Sequence, residues 1–91
     1  MADVIWGLVT NVIDGDTFEM NVTHIGKSNS NKYNENEIVR INGIDAPEMG
    51  TPEGLTAKMA LSLRILGKQV VCTVHARDKF GRVVADFEIE S

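Results

Sequence analysis

The sequence predicts a mainly β fold, a five-stranded Greek-key barrel with one α-helix between strands 3 and 4. Three observations carry that expectation. Apolar runs of strand length are spread along the chain. One of them alternates apolar and polar side chains with the period of a half-buried strand. A single helical pattern, with start and stop signals, falls between the third run and the fourth.

Val4 to Ile13 is apolar and rich in β-branched residues, interrupted by Gly7, and predicts a long first strand. Asp14-Gly15 is a hairpin signal, since glycine accepts the positive φ that a tight turn demands. Phe18, Met20 and Val22 then alternate with Thr17, Glu19 and Asn21. Asp16 shares the parity of Phe18, so it begins the second strand on the apolar face, at the barrel rim. His24 to Asn36 is rich in Asn, Ser and Lys, with Tyr33 its one aromatic, and reads as a long mobile loop. Ile38 to Ile44 is the third strand. Gly43 within it suggests a bulge, which would bring Arg40 and Asp45 to the same side.

Thr51-Pro52 has the form of an N-cap followed by a first-turn proline. Leu55, Met59, Leu63 and Leu66 recur at helical spacing, and Gly67 is placed to end the helix. Gln69 to Ala76 is the fourth strand, Arg77 to Gly81 a polar turn, and Arg82 to Ile89 the fifth strand. Three strands, a helix and two strands is the element order of an OB-fold, a partly open barrel often used for nucleic acids. Fold alone does not define function.

The 91 residues make one small domain, 1–91, of modest stability. Nine Lys and Arg against thirteen Asp and Glu leave a formal charge of −4. A nucleic-acid ligand would therefore need a local basic cluster or a bound cation. The single cysteine, Cys72, lies in an apolar run and reads as an inert packed residue, with no intrachain disulfide to form. No apolar stretch approaches the roughly 18 residues that span a bilayer. The N-terminus has no basic leader pattern, and the compartment is left undetermined.

Four groups of residues could carry chemistry. Asp14 and Asp16 flank a tight turn. Asp45-Ala46-Pro47-Glu48 sets two carboxylates in a segment stiffened by proline. Arg40 interrupts an apolar strand, and Arg77-Asp78-Lys79-Phe80-Gly81-Arg82 gathers three cations in one turn. Each has a bland counterpart: a plain hairpin, a solvated loop, a snorkelling arginine, a solvated tip. His24 and His75 read as structural or solvated.

Together the groups match a pattern. Ile13-Asp14-Gly15-Asp16-Thr17-Phe18, then Arg40-Ile41-Asn42-Gly43-Ile44-Asp45-Ala46-Pro47-Glu48, then Asp78-Lys79-Phe80-Gly81-Arg82 resembles the staphylococcal nuclease-like (thermonuclease) family, in order and across most of the chain. The resemblance implies that Asp16 and Asp45 bind Ca2+ through their carboxylates and Ala46 through its backbone carbonyl. It implies that Glu48 activates the attacking water, and that Arg40 and Arg82 bind the phosphate and its transition state. Lys79 and Phe80 would contact substrate. The implied activity is calcium-dependent phosphodiester hydrolysis of DNA or RNA with little sequence selectivity. The alternative is a non-catalytic OB-fold module that binds nucleic acid or protein.

The likeness covers the barrel portion. Family members continue into helices beyond the fifth strand, whereas this sequence ends at Ser91. The expectation is that a homodimer partner or a C-terminal segment covers apolar surface left on the barrel. Phe80 stands where some members carry tyrosine, which removes one hydroxyl contact. The 24–36 loop is longer than the family's usual hairpin there and matches no family role.

Overall fold

The computed structural model describes residues 2–90. Its elements are β1 (Asp3–Asp14), β2 (Thr17–Ile25), β3 (Asn36–Ile41), α1 (Pro52–Ile65), β4 (Gln69–Arg77) and β5 (Val83–Ile89). The strands close into a barrel in the order β1-β2-β3-β5-β4, the OB-fold arrangement expected from the element order. β1 is the strand that closes it. β1 pairs with β2 along its length and with β4 over Asp3 to Leu8. The β1–β2 register shifts after Trp6, Val9 and Val12, and such irregularities add the bend that a shared strand needs. The parallel pair β3–β5 completes the ring, with Arg40 opposite Val84.

Alternation fills the barrel. Ile5, Val9, Phe18, Met20, Val39, Val70, Cys72 and Val83 are buried inside it. Cys72 is inert as expected: burial pushes its thiol up to about 12. Four polar residues are also buried, Asp3, Asp16, Thr17 and Glu37. Among the described residues no buried side-chain polar atom lacks a partner, so each buried carboxylate is matched by donors.

The helix corrects one expectation. Thr51 caps it as predicted, its hydroxyl accepting from the Gly54 N–H at 3.0 Å, with Pro52 following and Gly67 beyond the end. The predicted apolar row is not the buried one. Leu55, Met59, Leu63 and Leu66 are all exposed, Leu63 to 87%, while Gly54, Leu61 and Ile65 are buried. The inward face is lined by small residues at its start, where the helix lies tightly against other backbone. A search for repeated large apolar residues therefore selects the outer row.

Three loop assignments also shift. β2 continues through His24 to Ile25, so the polar connection begins at Gly26. It is tied down: Asp3 accepts hydrogen bonds from the Ser30 N–H, the Asn31 backbone and side chain, and the Tyr33 hydroxyl. β3 ends at Ile41, and Gly43, with φ 78°, sits in the turn that follows rather than in a bulge. No helix among the described residues is long and apolar enough to cross a membrane.

Candidate functional site

The site begins at the β1–β2 hairpin. The Asp14 carboxylate accepts from the Asp16 N–H at 3.0 Å, a local bond that aspartate makes readily in turns. Gly15 between them does not have positive φ. Its role is close approach: a Cβ there would stand 2.6 Å from the Ala57 Cβ and 2.8 Å from the Ala46 Cβ. Glycine thus lets the hairpin tip, the Asp45–Glu48 segment and α1 converge.

Asp16 is buried at the rim, as its parity predicted, with 7% of its surface exposed. Its Oδ1 accepts from the Thr17 hydroxyl at 2.8 Å and its Oδ2 from the Ala46 N–H at 2.9 Å. Burial pushes the Asp14 carboxyl up, and contact with Asp16 adds to the rise. Burial also opposes ionisation of Asp16. Bonds from Asp14, the Ala46 N–H and the Thr17 hydroxyl, with the charge of Arg40, outweigh it and hold that carboxyl below its ordinary value.

Arg40 reaches the same point from β3. Its Nη1 donates to the carbonyls of Ile41 and Ile44. Its Nη2 donates to Asp45 Oδ1 at 3.0 Å and lies 3.5 Å from Asp16 Oδ2. The chain reversal at Asn42-Gly43, not a bulge, brings Asp45 back to Arg40. The Asp45 side chain is 98% exposed, so it is held from one side only.

Glu48 lies just before α1. Its carbonyl accepts from the Thr51 hydroxyl at 2.7 Å, and Gly54 packs against that carbonyl so closely that a Cβ would overlap the oxygen. The Glu48 residue is exposed, near the positive end of the helix dipole.

Arg40 therefore contacts both Asp16 and Asp45, and Asp16 contacts Ala46, with Glu48 three residues after Asp45. Arg82, Lys79 and Phe80 form a separate group in the turn before β5. Asp78 Oδ1 accepts from the N–H groups of Phe80 and Arg82, and its Oδ2 accepts from Arg82 Nε at 2.7 Å. The Arg82 guanidinium lies 5.2 Å from the centre of the Phe80 ring and Lys79 Nζ lies 5.3 Å from it. No described contact joins Arg82 to Arg40, Asp16 or Asp45. The parallel register sets Arg40 opposite Val84, and Arg82 lies just before the start of β5, two residues before Val84. His75, expected to be structural or solvated, pairs with Asp86 at the surface.

Two residues of the centre were not singled out from sequence. Thr17 bonds Asp16, and Gly54 places Glu48. Thr17 follows the Asp-Gly-Asp turn directly, while Gly54 shows only as a glycine inside a helix, a signal of close approach.

The oxygen donors fit a hard divalent cation. One guanidinium nitrogen already sits between the Asp16 and Asp45 carboxylates, so both reach a single positive charge, with the Ala46 carbonyl in the same segment. Among the described residues no set of three His, Cys, Asp or Glu side chains is grouped around a metal position. Two carboxylates and a carbonyl would leave positions for water and substrate, as calcium's coordination number allows.

The structure is an OB barrel with two converging acidic segments and a bridging arginine. No protein-family model matches the chain. A protein of Verticillium alfalfae named probable endonuclease LCL3 is 36% identical over 97 aligned positions, covering 87% of this chain and 34% of that protein. Probable endonuclease lcl3 of Schizosaccharomyces japonicus is 34% identical, over 88% of this chain and 42% of its own length. Probable staphylococcal-like nuclease CAN1 of Oryza sativa is 44% identical over 48 positions, 53% of this chain and 14% of that protein. The chain belongs to the staphylococcal nuclease-like family, whose barrel portion it carries. It spans about a third of the length of the Verticillium relative.

Proposed function

We propose that the barrel is a calcium-dependent nuclease that hydrolyses phosphodiester bonds of DNA or RNA with low sequence selectivity. The observation that carries this reading is Arg40 Nη2 lying between Asp16 and Asp45, with Glu48 three residues after Asp45 in the same segment. It supports a reading in which Arg40 would bind phosphate, Asp16 and Asp45 would hold the metal, and exposed Glu48 would act as base. The names of the relatives support a nuclease in the same direction.

Asp16, Asp45 and the Ala46 carbonyl would hold Ca2+, which when bound polarises a phosphoryl oxygen and offsets the acidic chain's repulsion of a polyanion. Glu48 takes the proton from a water whose oxygen adds to phosphorus. The bond from phosphorus to the 5′ oxygen breaks, and that oxygen is protonated from solvent, leaving a 3′-phosphate. Arg40 and Arg82 meet the charge that builds on the equatorial oxygens with guanidinium forks. Lys79 and Phe80 flank Arg82 and would contact the nucleotide.

Nicking of supercoiled plasmid with calcium, and none with a chelator, is the expected result. Nucleic-acid binding without nicking would instead support the binding-module alternative. The expected homodimer or C-terminal cover would use the exposed row Leu55, Met59, Leu63 and Leu66. Light scattering across a concentration series, wild type against Leu63→Gln, reads the homodimer.

A further inference from the structure

Arg77 and Glu37 form an ion pair that the centre described above does not use. β3 buries alternate residues Glu37, Val39 and Ile41, so a carboxylate occupies a position where the strand otherwise presents core side chains. The β4–β5 register shifts between Val74 and Ala76, and beyond the shift Arg77 pairs with the buried Val83. Residues opposite each other in an antiparallel ladder share a face, so this bulge puts the Arg77 side chain, still 37% exposed, on the face of Val83 and Glu37. There its Nη1 meets Glu37 Oε1 at 2.9 Å and its Nη2 meets Oε2 at 3.1 Å, a two-pronged fit that lysine cannot reproduce.

The same guanidinium holds two further segments. Nη1 donates to the Gly81 carbonyl at 2.9 Å, and Nη2 to the Lys32 carbonyl at 3.4 Å. The group also lies 5.7 Å from the Tyr33 ring centre, and the Tyr33 hydroxyl is anchored on buried Asp3. The turn that carries Lys79, Phe80 and Arg82 is internally bonded through Asp78. Beside Arg77 opens a solvent-accessible cavity of about 610 Å³ lined by Tyr33, Val74, His75, Arg77 and Val83 among others. The bond from Arg77 to the Gly81 carbonyl ties that turn to β4.

We infer that Arg77, locked by Glu37, is a positioning residue that braces the 78–82 turn against the 26–35 loop and so sets where Arg82 meets the substrate phosphate. The inference rests on the nuclease reading for its effect on catalysis. It also gives the long polar loop a role, as the far abutment of that brace. Arg82 is placed to act on transition-state charge, so loosening the brace lowers kcat and leaves KM nearly unchanged.

The test uses two variants. Glu37→Leu with Arg77→Met replaces buried Glu37 and its half-exposed partner by apolar side chains, an exchange of ion pair for apolar groups that preserves folding in other proteins. Arg77→Lys keeps the charge on Glu37 but loses the fork, and serves if the double variant does not fold. Expected is a kcat on the order of 10- to 100-fold lower, as displaced catalytic groups produce, with a shifted or broadened NMR signal for Arg82 Nε–H. The NMR readout needs no activity. An Arg82 Nε–H signal identical to wild type in a folded variant overturns the inference whatever the enzyme does. Where the wild type cleaves, an unchanged kcat overturns it too. A wild type that does not cleave removes the nuclease reading, and the NMR signal alone then decides the brace.

Discussion

Gly54 lies directly against the carbonyl of Glu48, leaving no room for a Cβ. The start of the helix therefore fixes the backbone of the proposed base. Gly54→Ala should push the Glu48 segment away while leaving the barrel intact. The expected result is a lower kcat and a loss of about 1–3 kcal/mol in stability, typical of overpacking. Urea unfolding and steady-state cleavage on the same samples would check both.

Asp16 and Asp45 differ in how firmly they are held. Asp16 is buried and bonded on both oxygens, whereas Asp45 is exposed and, among the described residues, tied to Arg40. Asp16→Ala should abolish calcium binding while the fold survives, and Asp45→Ala should weaken binding with less effect on folding than Asp16→Ala. Calorimetric titration with calcium, beside a thermal melt, reads the two effects separately. Equal calcium affinity in wild type and Asp16→Ala would remove this site.

Glu48 and Arg82 should separate by kinetic signature. Glu48→Gln is expected to lower turnover by about 10²–10⁴-fold, the usual worth of a general base, with calcium affinity nearly intact. Arg82→Ala should lower kcat more than it raises KM, because its contact strengthens as charge develops. Single-turnover cleavage and a separate binding titration would distinguish these losses. Wild-type rates in both variants would discard the assigned roles.

Much of this was legible from residue order because strand parity and turn chemistry are local. The parity of Asp16 with Phe18 placed it at the buried rim, and Thr51-Pro52 placed the helix start. What was not legible depends on backbone surfaces meeting across the chain. Gly15 signals a turn in sequence, but in space it is a contact between Ala46 and Ala57. Gly43 looked like a bulge and is a turn, since only the β3–β5 pairing shows that the strand ends at Ile41. Arg77 is brought opposite buried Val83 by an unannounced register shift in β4–β5. Its partner Glu37 could have been noticed, because it shares parity with Val39 and Ile41 and so falls on the core face.

The two faces of α1 give a stability test. Leu61 and Ile65 are buried against the barrel, whereas Leu63, between them, is exposed. Ile65→Ala should cost about 2–5 kcal/mol, the range for truncating a buried aliphatic side chain. Leu61→Ala should fall in or just below that range. Leu63→Ala should stay within about 0.5 kcal/mol of wild type at low protein concentration, as exposed substitutions do. Chemical denaturation of the three variants ranks them. Equal losses at Leu61 and Leu63 would mean that the helix packs on a different face.

The anchor of the long loop should make stability depend on pH at both extremes. The Tyr33 hydroxyl and the Ser30 and Asn31 donors favour ionised Asp3 and hold its carboxyl at about 2, below the ordinary 3.8. A depressed carboxyl pKa stabilises the fold above the unfolded value, and that contribution is lost as pH falls from 3.8 through about 2. Tyr33 shifts the other way. Burial and its bond to Asp3 raise its hydroxyl from 10.0 to about 12. Its contribution is complete below pH 10 and is lost as pH rises through about 12. Melting temperatures should therefore fall along both limbs. Tyr33→Phe should remove the alkaline loss attributable to this residue and, by taking away the strongest donor to Asp3, move the acid loss to higher pH. Melts of wild type and Tyr33→Phe at matched ionic strength would show the acid limbs separating. Superimposed acid limbs would mean that the hydroxyl does not hold Asp3 in solution.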